Sequence, residues 1–539
     1  MRRLISICVL IVLVFNGLFA QNSGTIPFNP QSPIFGKDVI IRNDTSKDER
    51  AVAICSAFNG WLFSVFSYTI PNLWWRIPEY SIMKSIDHGM TWTLFTATIS
   101  PMSYYVDHSF SIIASGNSLS DLKIIVSWVA AETLGAGGNG ICYRYNGQTG
   151  DYIDCLLEKG DIKSIALTSD YPHPATNSNP SSLGLLYSKT GYGFNQDSLI
   201  FLASDDGGNT FSNSISIPLT MKRAGNVAIS YGRSSNYPTG RYFAVWEEHS
   251  DNDLILGHIY TAHTEPYFNS HFSVPVNLDS LDFKAINKCK NPTIACQNSI
   301  SDNGQGNFTE IILFEKVNTQ INKTTISGYY NLESATTNHF SPFYLPDSSN
   351  FNQQPTLIFN YFDSTFLESH FDLTLGKLPL FRIDYRLIDP NNWSTLSQGI
   401  NDDSNLLNPI PKLAIDDLQM KTLCVWNAED PDGKGVSMFD SELSTFTNIN
   451  DSNSSKGLVC EVFPNPCSNN VHIAFKYSPS GNFTLTVSDI TGTIIKKRHV
   501  NSSHDNAIEF DTSDLHDGVY ILTISNAGHQ INKKIIVNQ

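Results

Sequence analysis

The feature that most constrains the fold of this chain is an internal repeat with a period of roughly 60 residues. Each copy has an apolar segment that contains or ends in an aromatic residue, then a polar turn, then a second apolar segment. A unit this short cannot bury its sheet faces alone, so successive units must pack against each other. The aromatic markers of the seven copies are Phe66, Trp128, Tyr187, Trp246, Phe314, Tyr361 and Trp426.

Short strands at a regular spacing predict an all-β ring whose repeats are blades. No segment has the three-and-four spacing of apolar residues that an amphipathic helix requires. We expect seven blades of three or four strands, with six or eight left open because two intervals depart from the mean. A ring must close to avoid exposed sheet edges. Residues 37–43 have no partner near the first unit, and we expect them to complete the last blade.

Two copies of an octapeptide with the pattern S-x-D-x-G-x-T-aromatic mark tight hairpins in the first and third units. The aspartates can accept hydrogen bonds from backbone N–H groups of their own turn, and the glycines can adopt positive φ. The aromatic residue begins the next strand and can pack against a neighbouring sheet. The positions are Ser85, Asp87, Gly89, Thr91 and Trp92 in residues 85–92, and Ser204, Asp206, Gly208, Thr210 and Phe211 in residues 204–211.

The octapeptides resemble the Asp box, or BNR repeat, of sialidase-like β-propellers. The resemblance implies that residues 21–448 form a sialidase-like propeller, with the box joining the third and fourth strands of a blade. In that family the box lies away from the substrate face. The motif therefore supports an expectation about the fold and says little about catalytic chemistry.

The first 20 residues have the pattern of a secretory signal peptide. Arg2 and Arg3 precede an apolar run, and a plausible cleavage site follows Ala20. The run is too short to span a bilayer comfortably, and no later stretch is long and apolar enough to do so. We expect a signal peptide at residues 1–20 and an exported mature chain without a transmembrane span.

The composition changes after Asn448, where residues 449–457 read as a polar linker. Alternating apolar and polar residues after the linker predict a small immunoglobulin-like β-sandwich. Residues 458–539 resemble the type A C-terminal sorting domain of proteins exported by the Bacteroidetes type IX secretion system, also called the Por secretion system. The matching positions are Pro464, Asn465, Pro466, Asp489, Gly492, Gly518, Tyr520, Lys533 and Lys534.

The sorting-domain resemblance implies a route and a partner. The chain would pass through the periplasm and be carried across the outer membrane by the type IX machinery, which would bind the terminal domain. It would then be attached to the cell surface or released. Nucleic acid is not expected as a partner, because a net charge of −16 repels backbone phosphates.

Nine cysteines are present, and Cys8 lies in the signal peptide. In an oxidising compartment three pairs that are close in sequence are candidate disulfides, with buried thiols as the alternative. The pairs are Cys142 with Cys155, Cys289 with Cys296, and Cys460 with Cys467. We expect Cys55 and Cys424, which lie in apolar strands, to be buried thiols. No spacing fits a zinc ribbon, so neither a metal nor a cofactor is predicted.

The sialidase resemblance calls for a search for catalytic groups. That family clamps a carboxylate with three arginines and uses a Tyr–Glu nucleophile pair with an Asp acid/base. Arg76 begins the family's Arg-Ile-Pro spelling, but it lies too close to the first octapeptide, and we interpret it as a coincidence. Glu247-Glu248-His249 could do acid/base work, although we favour a solvated turn. The other candidate arginines are Arg144, Arg223, Arg233, Arg241, Arg382 and Arg386.

No catalytic residue is assigned from the sequence. We expect a secreted or surface-attached protein that binds glycan or protein ligands at the central face of the propeller. The alternative is an exo-acting glycoside hydrolase of sialidase type, and a further possibility is an adhesin whose propeller is only a display scaffold. Fold alone does not choose among them.

Overall fold

The computed structural model shows a chain built from β-strands, with no α-helix among the residues that it describes. In that part of the chain no helix is long and apolar enough to cross a membrane. The described residues are 35–42, 48–69, 79–98, 105–106, 110–116, 118–131, 138–170, 182–191, 196–212, 214–234, 237–250, 253–264, 271–279, 287–298, 309–321, 323–332, 340–344, 352–361, 365–384, 394–397, 399–402, 410–416, 419, 421–429, 435–442, 460–463, 465, 467–475, 480–489, 494–503, 507–526 and 529–538.

The chain divides into two compact units, Met1–Thr445 and Phe446–Gln539. The signal peptide and the linker predicted at residues 449–457 lie outside the described residues. The strands of the first unit are β1 (Val39–Arg42), β2 (Asp48–Ser56), β3 (Leu62–Thr69), β4 (Glu79–Ser85), β5 (Thr93–Thr98), β6 (Tyr105–Val106), β7 (Ser111–Ser115), β8 (Lys123–Ala131), β9 (Gly138–Asn146), β10 (Tyr152–Ser169), β11 (Leu183–Lys189), β12 (Ser198–Ser204), β13 (Ile215–Ile217), β14 (Arg223–Ser234), β15 (Tyr237–Ser250), β16 (Asp253–His263), β17 (Val276–Asn277), β18 (Asn287–Cys296), β19 (Thr309–Asn318), β20 (Lys323–Leu332), β21 (Phe340–Tyr344), β22 (Asn352–Asn360), β23 (Thr365–Asp372), β24 (Leu380–Asp384), β25 (Ser394–Ser397), β26 (Lys412–Asp416), β27 (Lys421–Glu429) and β28 (Gly435–Ser441).

These strands form sheets of four or eight, with antiparallel neighbours in each sheet. Strands β2 to β5 form one four-stranded sheet, β22 to β25 a second, and β26, β27, β28 and β1 a third. One eight-stranded sheet contains β6 to β13, and another contains β14 to β21. In the first of these, the long strand β10 pairs with β9 through its first half and with β11 through its second half. In the other, β16 and β18 are joined by one residue pair, Gly257 with Cys289.

Seven strands contact one another in a closed cycle. Strand β2 contacts β7, β7 contacts β10, and β10 contacts β14. The series continues through β18 and β22 to β26, which contacts β2. These seven strands therefore form the inside of a closed ring, and we call them the inner strands.

The ring is closed by pairing between the two ends of the first unit. Strand β1 pairs with β28, with Val39 opposite Phe439 and Ile40 opposite Met438. Ile41 is buried in a cluster with Leu62 of β3 and Leu423 of β27. The prediction that the segment beginning at residue 37 completes the last sheet is confirmed for Val39–Arg42, which pair with the outer side of β28.

The aromatic markers pack toward the sheet that precedes them. Trp128 shares a core cluster with Tyr80 of β4, and Trp246 shares one with Phe201 of β12. Trp426 likewise packs with Leu367 of β23. Large side chains at one repeated position thus fill the space between consecutive sheets, which explains why a single unit could not be stable alone.

The marker assigned to the sixth unit is wrong. Tyr361 lies in the turn between β22 and β23, whereas Phe366 of β23 is fully buried and packs with Leu313 of the preceding sheet. The segment around Tyr361 carries several aromatic residues and is apolar on both sides, so pattern alone could not locate the turn. With Phe366 as the marker, the intervals on its two sides become 52 and 60 residues in place of 47 and 65.

The second unit has two small sheets around its own core. Its strands are β29 (Cys460–Phe463), β30 (Asn470–Phe475), β31 (Ser480–Asp489), β32 (Ile494–Ser503), β33 (Ala507–Asp511), β34 (Gly518–Asn526) and β35 (His529–Val537). Strands β29, β30 and β33 form one sheet, and β32, β31, β34 and β35 form the other. Val471, Leu485, Leu522 and Ile535 belong to one buried cluster that both sheets share.

Candidate functional site

The first octapeptide turn, residues 85–92, is held together by its own side chains. Ser85 Oγ donates to Asp87 Oδ1 at 2.8 Å and accepts from the Gly89 N–H at 2.8 Å. Asp87 also accepts the Thr91 N–H at 2.9 Å and the Thr91 hydroxyl at 2.6 Å. Gly89 has φ of +92°, a conformation that favours glycine. Every specified polar position of this octapeptide therefore serves the turn itself.

The second octapeptide turn, residues 204–211, repeats the geometry. Asp206 accepts the Thr210 N–H at 2.8 Å and the Thr210 hydroxyl at 2.7 Å, and Ser204 Oγ donates to it at 2.8 Å. Burial raises the pKa of Asp206, but these hydrogen bonds outweigh it and lower the pKa to about 2. Gly208 has φ of +83°. The two turns connect β4 to β5 and β12 to β13.

The first turn also packs against the last sheet of the ring. His88 Nδ1 lies 2.6 Å from Asp416 Oδ2, and the Trp92 ring meets the Phe439 ring at 5.3 Å in an edge-on arrangement. A Cβ added to Gly89 would lie 2.1 Å from the same Phe439 ring. The octapeptide turn therefore packs where the first sheet of the ring meets the last.

A buried carboxylate on β15 reaches the inner strand β18 of the same eight-stranded sheet. Glu247 follows the marker Trp246 in β15, and its Oε1 accepts the Asn291 backbone N–H at 2.5 Å. Asn226 Nδ2 donates to the same oxygen at 3.0 Å. Asn291 lies at a register shift in the inner strand β18 and has φ of +53°. We call this arrangement a staple. In a staple, the side chain of the residue that follows the marker forms a hydrogen bond with the backbone of the next inner strand.

A second staple joins β19 to the inner strand β22 of the following sheet. Glu315 follows the marker Phe314, and its Oε1 accepts the Gln354 N–H at 2.8 Å and Asn291 Nδ2 at 2.8 Å. Lys290 Nζ lies 3.1 Å from Glu315 Oε2. Gln354 lies at a register shift in β22 with φ of +54°. In the sheet that contains β6 to β13, Ser188 follows the marker Tyr187 on β11. Its hydroxyl donates to the Gly225 carbonyl of the inner strand β14 at 2.9 Å.

The Glu247-Glu248-His249 segment is buried, so the solvated-turn interpretation is wrong. Glu248 is fully buried and accepts the Met221 N–H at 2.5 Å and the Trp246 indole N–H at 2.8 Å. Burial raises the pKa of Glu248. His249 Nε2 lies 3.1 Å from Glu247 Oε2. The segment is polar in sequence, but its three side chains are buried and make hydrogen bonds inside the protein.

A second buried pair of carboxylate and imidazole lies on β23. His370 Nδ1 is 2.9 Å from Glu368 Oε1, and the His370 ring stacks on Phe381. Both side chains are fully buried, and burial raises the pKa of Glu368. Because neither group reaches solvent, this pair can position neighbouring groups but cannot contact a dissolved ligand without a rearrangement.

Lys163 of the inner strand β10 and Arg223 of the inner strand β14 share one buried carboxylate, that of Asp197. Lys163 Nζ lies 2.5 Å from Asp197 Oδ2, and Arg223 Nη1 lies 3.1 Å from Asp197 Oδ1. The Asp197 side chain is fully buried, while the Lys163 and Arg223 side chains are 29% and 19% exposed. The Gly191 and Ala224 N–H groups also donate to Asp197 at 2.9 and 3.0 Å. The carboxylate is fixed, and the two cations are oriented with part of their surface in water.

Three of the described candidate arginines have different partners. Arg144 pairs with Asp154, and Arg233 pairs with Asp170 at 2.8 Å. The Arg241 guanidinium lies over the Tyr237 ring at 4.2 Å. Arg382 lies in β24, and Arg76 and Arg386 fall outside the described residues. Among the described residues no group of His, Cys, Asp and Glu could hold a metal ion.

The cysteine geometry corrects the candidate disulfides. Cys289 and Cys296 both lie in β18, where seven residues of extended chain separate them by roughly 20 Å, too far for a disulfide. The register sets Cys142 opposite Leu156 and not opposite Cys155. Cys467 donates its thiol hydrogen to the Ile536 carbonyl at 3.4 Å, as a reduced cysteine does. The sequence could not show this geometry, because closeness along the chain does not reveal whether two residues lie on one extended strand or opposite each other on two.

The candidate sorting residues come together from distant parts of the second unit. Asn465 Oδ1 accepts the Ile536 N–H at 2.8 Å, and Asn465 Nδ2 donates to the Lys534 carbonyl at 3.0 Å. Tyr520 lies opposite Asp489 in the sheet, and its hydroxyl donates to the His516 carbonyl at 2.8 Å. The other candidates in β34 and β35 are Gly518, opposite Val537, and Lys533, opposite Leu522. Pro464, Pro466 and Gly492 lie outside the described residues.

The glutamate and serine staples were missed by sequence reasoning. A signal for two of them exists, since Asn291 and Gln354 each precede a proline near the start of an inner strand. Proline within a sheet is found mainly at edges and bulges, and a bulge leaves backbone N–H groups that need another acceptor. An acid directly after each preceding marker could then have been read as that acceptor.

Comparison with known proteins identifies the second unit. Residues 461–538 match the family described as the secretion system C-terminal sorting domain. No curated protein matches the chain. The second unit therefore carries a type IX secretion sorting tail, and the protein is exported to the cell surface or released.

Several solved structures resemble the chain weakly. A protein of unknown function from Dyadobacter fermentans has 13% identity and a TM-score of 0.39, covering 76% of this chain and 100% of its own. An α-L-arabinofuranosidase from Fusarium graminearum has 11% identity and a TM-score of 0.42, covering 77% and 100%. An α-L-arabinanase from Penicillium chrysogenum has 12% identity and a TM-score of 0.41, covering 77% and 99%.

Proposed function

We propose that the protein is a surface-displayed binding protein: a seven-bladed, sialidase-like β-propeller that recognises acidic glycans and is delivered by its type IX sorting tail. In this proposal the second unit is an immunoglobulin-like sandwich that addresses the propeller for export. The propeller then acts outside the cell, attached to the surface or released. The observation that carries the ligand class is the pair of cations on Asp197 near the start of the inner strands.

The blade number follows from splitting each eight-stranded sheet in two. Strand β10 would serve as the outer strand of one blade with its first half and as the inner strand of the next with its second half. Strands β16 and β18, joined by a single residue pair, would belong to neighbouring blades. The ring then has seven blades, one for each inner strand, and β1 supplies the outer strand of the last.

The ligand class follows from local charge. Lys163 and Arg223 both contact Asp197, and each keeps part of its side chain exposed, in a chain whose net charge is −16. Glycans that carry carboxylate or sulfate groups present an anion that such a pair can bind. A buried acid fixes both cations in advance, which reduces the ordering cost of binding.

The experiment is a binding measurement on the purified protein with uronate-containing and neutral oligosaccharides of equal length. We expect the acidic sugars to bind more tightly, with an affinity that falls as salt is added. Lys163→Gln should weaken acidic-glycan binding about tenfold, the cost of one charged hydrogen bond. Lys222→Ala removes the same charge from an exposed neighbour and should have little effect. Equal affinity for neutral sugars would overturn the proposed ligand class.

The alternative is an exo-acting glycoside hydrolase. One observation favours it: Glu247 and Glu315 both bind Asn291, so two carboxylates lie near each other beside the inner strands. Glycosidases use such pairs. Both side chains are almost completely buried, however, and both act as staples. Release of the fluorophore from fluorogenic sialosides or arabinosides, lost in Glu315→Gln but retained in Gln320→Ala, would favour the enzyme.

A further inference from the structure

The side chain of Asn465 behaves like a peptide group added to the edge of the terminal strand β35. Its carbonyl oxygen accepts the Ile536 N–H at 2.8 Å, and its amide donates to the Lys534 carbonyl at 3.0 Å. The partners are 71 and 69 residues away along the chain. A carboxamide is suited to this double contact because it offers one acceptor and one donor in a plane.

The backbone that follows Asn465 continues the same edge. The Cys467 N–H donates to the Ile536 carbonyl at 2.8 Å, and the Asn538 N–H donates to the Cys467 carbonyl at 2.9 Å. Cys467 and Val537 form a parallel bridge. Strand β35 is thus held on one side by β34 and on the other by Asn465 and Cys467.

This arrangement matters because β35 is the outermost strand of its sheet. Edge strands expose unpaired backbone groups, and Asn465 and Cys467 pair with some of those of β35. Asn465 binds next to Lys533 and Lys534, which belong to the same set of sorting positions. Residues that are separate motifs in the sequence therefore form one surface in the folded domain.

We propose that Asn465 is a positioning residue for export. It fixes the register of Asn465 and Cys467 against β35, so that the secretion machinery meets the two segments as one folded surface. The partner is a protein component of that machinery. The proposal rests on the sorting-domain match and on the contacts of Asn465, and it is independent of what the propeller binds.

The test compares three variants of the full-length protein in its host. Asn465→Ala removes both hydrogen bonds, whereas Asn465→Asp keeps the acceptor for Ile536 and loses the donor to Lys534. Asn469→Ala is the matched control, because Asn469 is an exposed asparagine in the same segment. Two quantities are measured: the fraction of protein accessible to protease on intact cells, and amide hydrogen exchange of peptides covering residues 529–538 in the purified protein.

We expect Asn465→Ala to speed exchange at Ile536 about tenfold, the effect of losing net hydrogen-bond stabilisation of this size. The surface-accessible fraction should fall with it, and Asn465→Asp should lie between Ala and wild type in both measurements. Asn469→Ala should match wild type. Normal delivery of Asn465→Ala despite faster exchange would overturn the proposal, as would equal losses in Asn465→Ala and Asn469→Ala. If Asn465→Ala does not fold, the graded comparison of Asn465→Asp with Asn469→Ala decides.

Discussion

The backbone N–H of Gln354 donates a hydrogen bond to Glu315 Oε1, which lies 2.8 Å away on the preceding sheet. Gln354 has φ of +54°, a conformation that costs a non-glycine residue roughly 1–2 kcal/mol. Asn291, with φ of +53°, makes the same contact with Glu247. The strained residue turns its N–H toward the carboxylate, so the charged hydrogen bond offsets the strain. These hydrogen bonds fasten the inner strands β18 and β22 to β15 and β19.

Glu315→Ala should therefore destabilise the ring by about 2 kcal/mol, because it leaves two part-buried donors and the Lys290 cation without their acceptor. Glu315→Gln keeps one oxygen acceptor and should cost less. Urea unfolding of the purified protein measures both. Gln320→Ala, an exposed position near the end of the same strand, is the control. A loss below about 1 kcal/mol in Glu315→Ala, within the range of surface changes, would contradict the staple.

Gly89→Ala tests the contact between the first octapeptide turn and the last sheet. The new Cβ would lie 2.1 Å from the Phe439 ring at a residue whose φ is +92°. Overpacking and an unfavourable φ should together lower the free energy of unfolding by about 3 kcal/mol. Met90→Ala, at the exposed neighbour, should change it little. Thermal unfolding checks the pair. If adding Phe439→Leu to the Gly89→Ala variant did not recover part of the lost stability, the clash with the Phe439 ring would not be the cause of that loss.

Local patterns in the sequence were enough to predict local structure. The octapeptides specify hydrogen bonds among residues at most four apart, and the structure contains those bonds at both copies. Strand β1 was predicted to close the ring because an apolar segment with no local partner must find a distant one. The sorting tail was predictable because its motif positions occur in order over one short domain.

Contacts set by the ring itself could not be predicted. Glu247 and Asn291 are 44 residues apart, and only the tertiary fold brings β15 and β18 together. The same packing turns the polar segment at Glu248 into a buried one, against the usual expectation for charged residues after a strand. Asn465 matched a motif in the sequence, but its pairing with β35 depends on how two sheets of the small unit meet.

Removal of the second unit separates folding from delivery. A chain ending at Lys456 retains every strand of the first unit and the pairing of β1 with β28, so it should fold. It lacks the matched sorting region at residues 461–538 and should remain in the periplasm. Cell fractionation with protease shaving measures this, with the full-length protein as control. Normal surface delivery of the shortened chain would contradict the assigned role of the tail.

Asp440 should make stability depend on pH at the ring closure. Its Oδ1 accepts the Ser441 N–H at 2.7 Å and the Gly36 N–H at 3.1 Å, just before β1. Burial, together with the nearby Asp38 and Asp402, raises the pKa of Asp440 from 3.8 to about 7. The folded state therefore holds this proton more tightly than the unfolded state. Its contribution to the free energy of unfolding must fall as pH rises from about 4 to about 7 and stay level above that.

Asp440→Asn removes this titration and keeps an oxygen acceptor for Gly36 and Ser441. The stability of the variant relative to wild type should rise between pH 4 and 7, by up to about 4 kcal/mol, and then level off. Urea unfolding at a series of pH values measures the difference, and Asp205→Asn, at an exposed aspartate, controls for the change in net charge. A difference that is flat with pH, or that grows toward acid, would mean that Asp440 is ionised in the closed ring. Because the closing strand begins beside this carboxylate, the same series would then show that closure tolerates a buried charge.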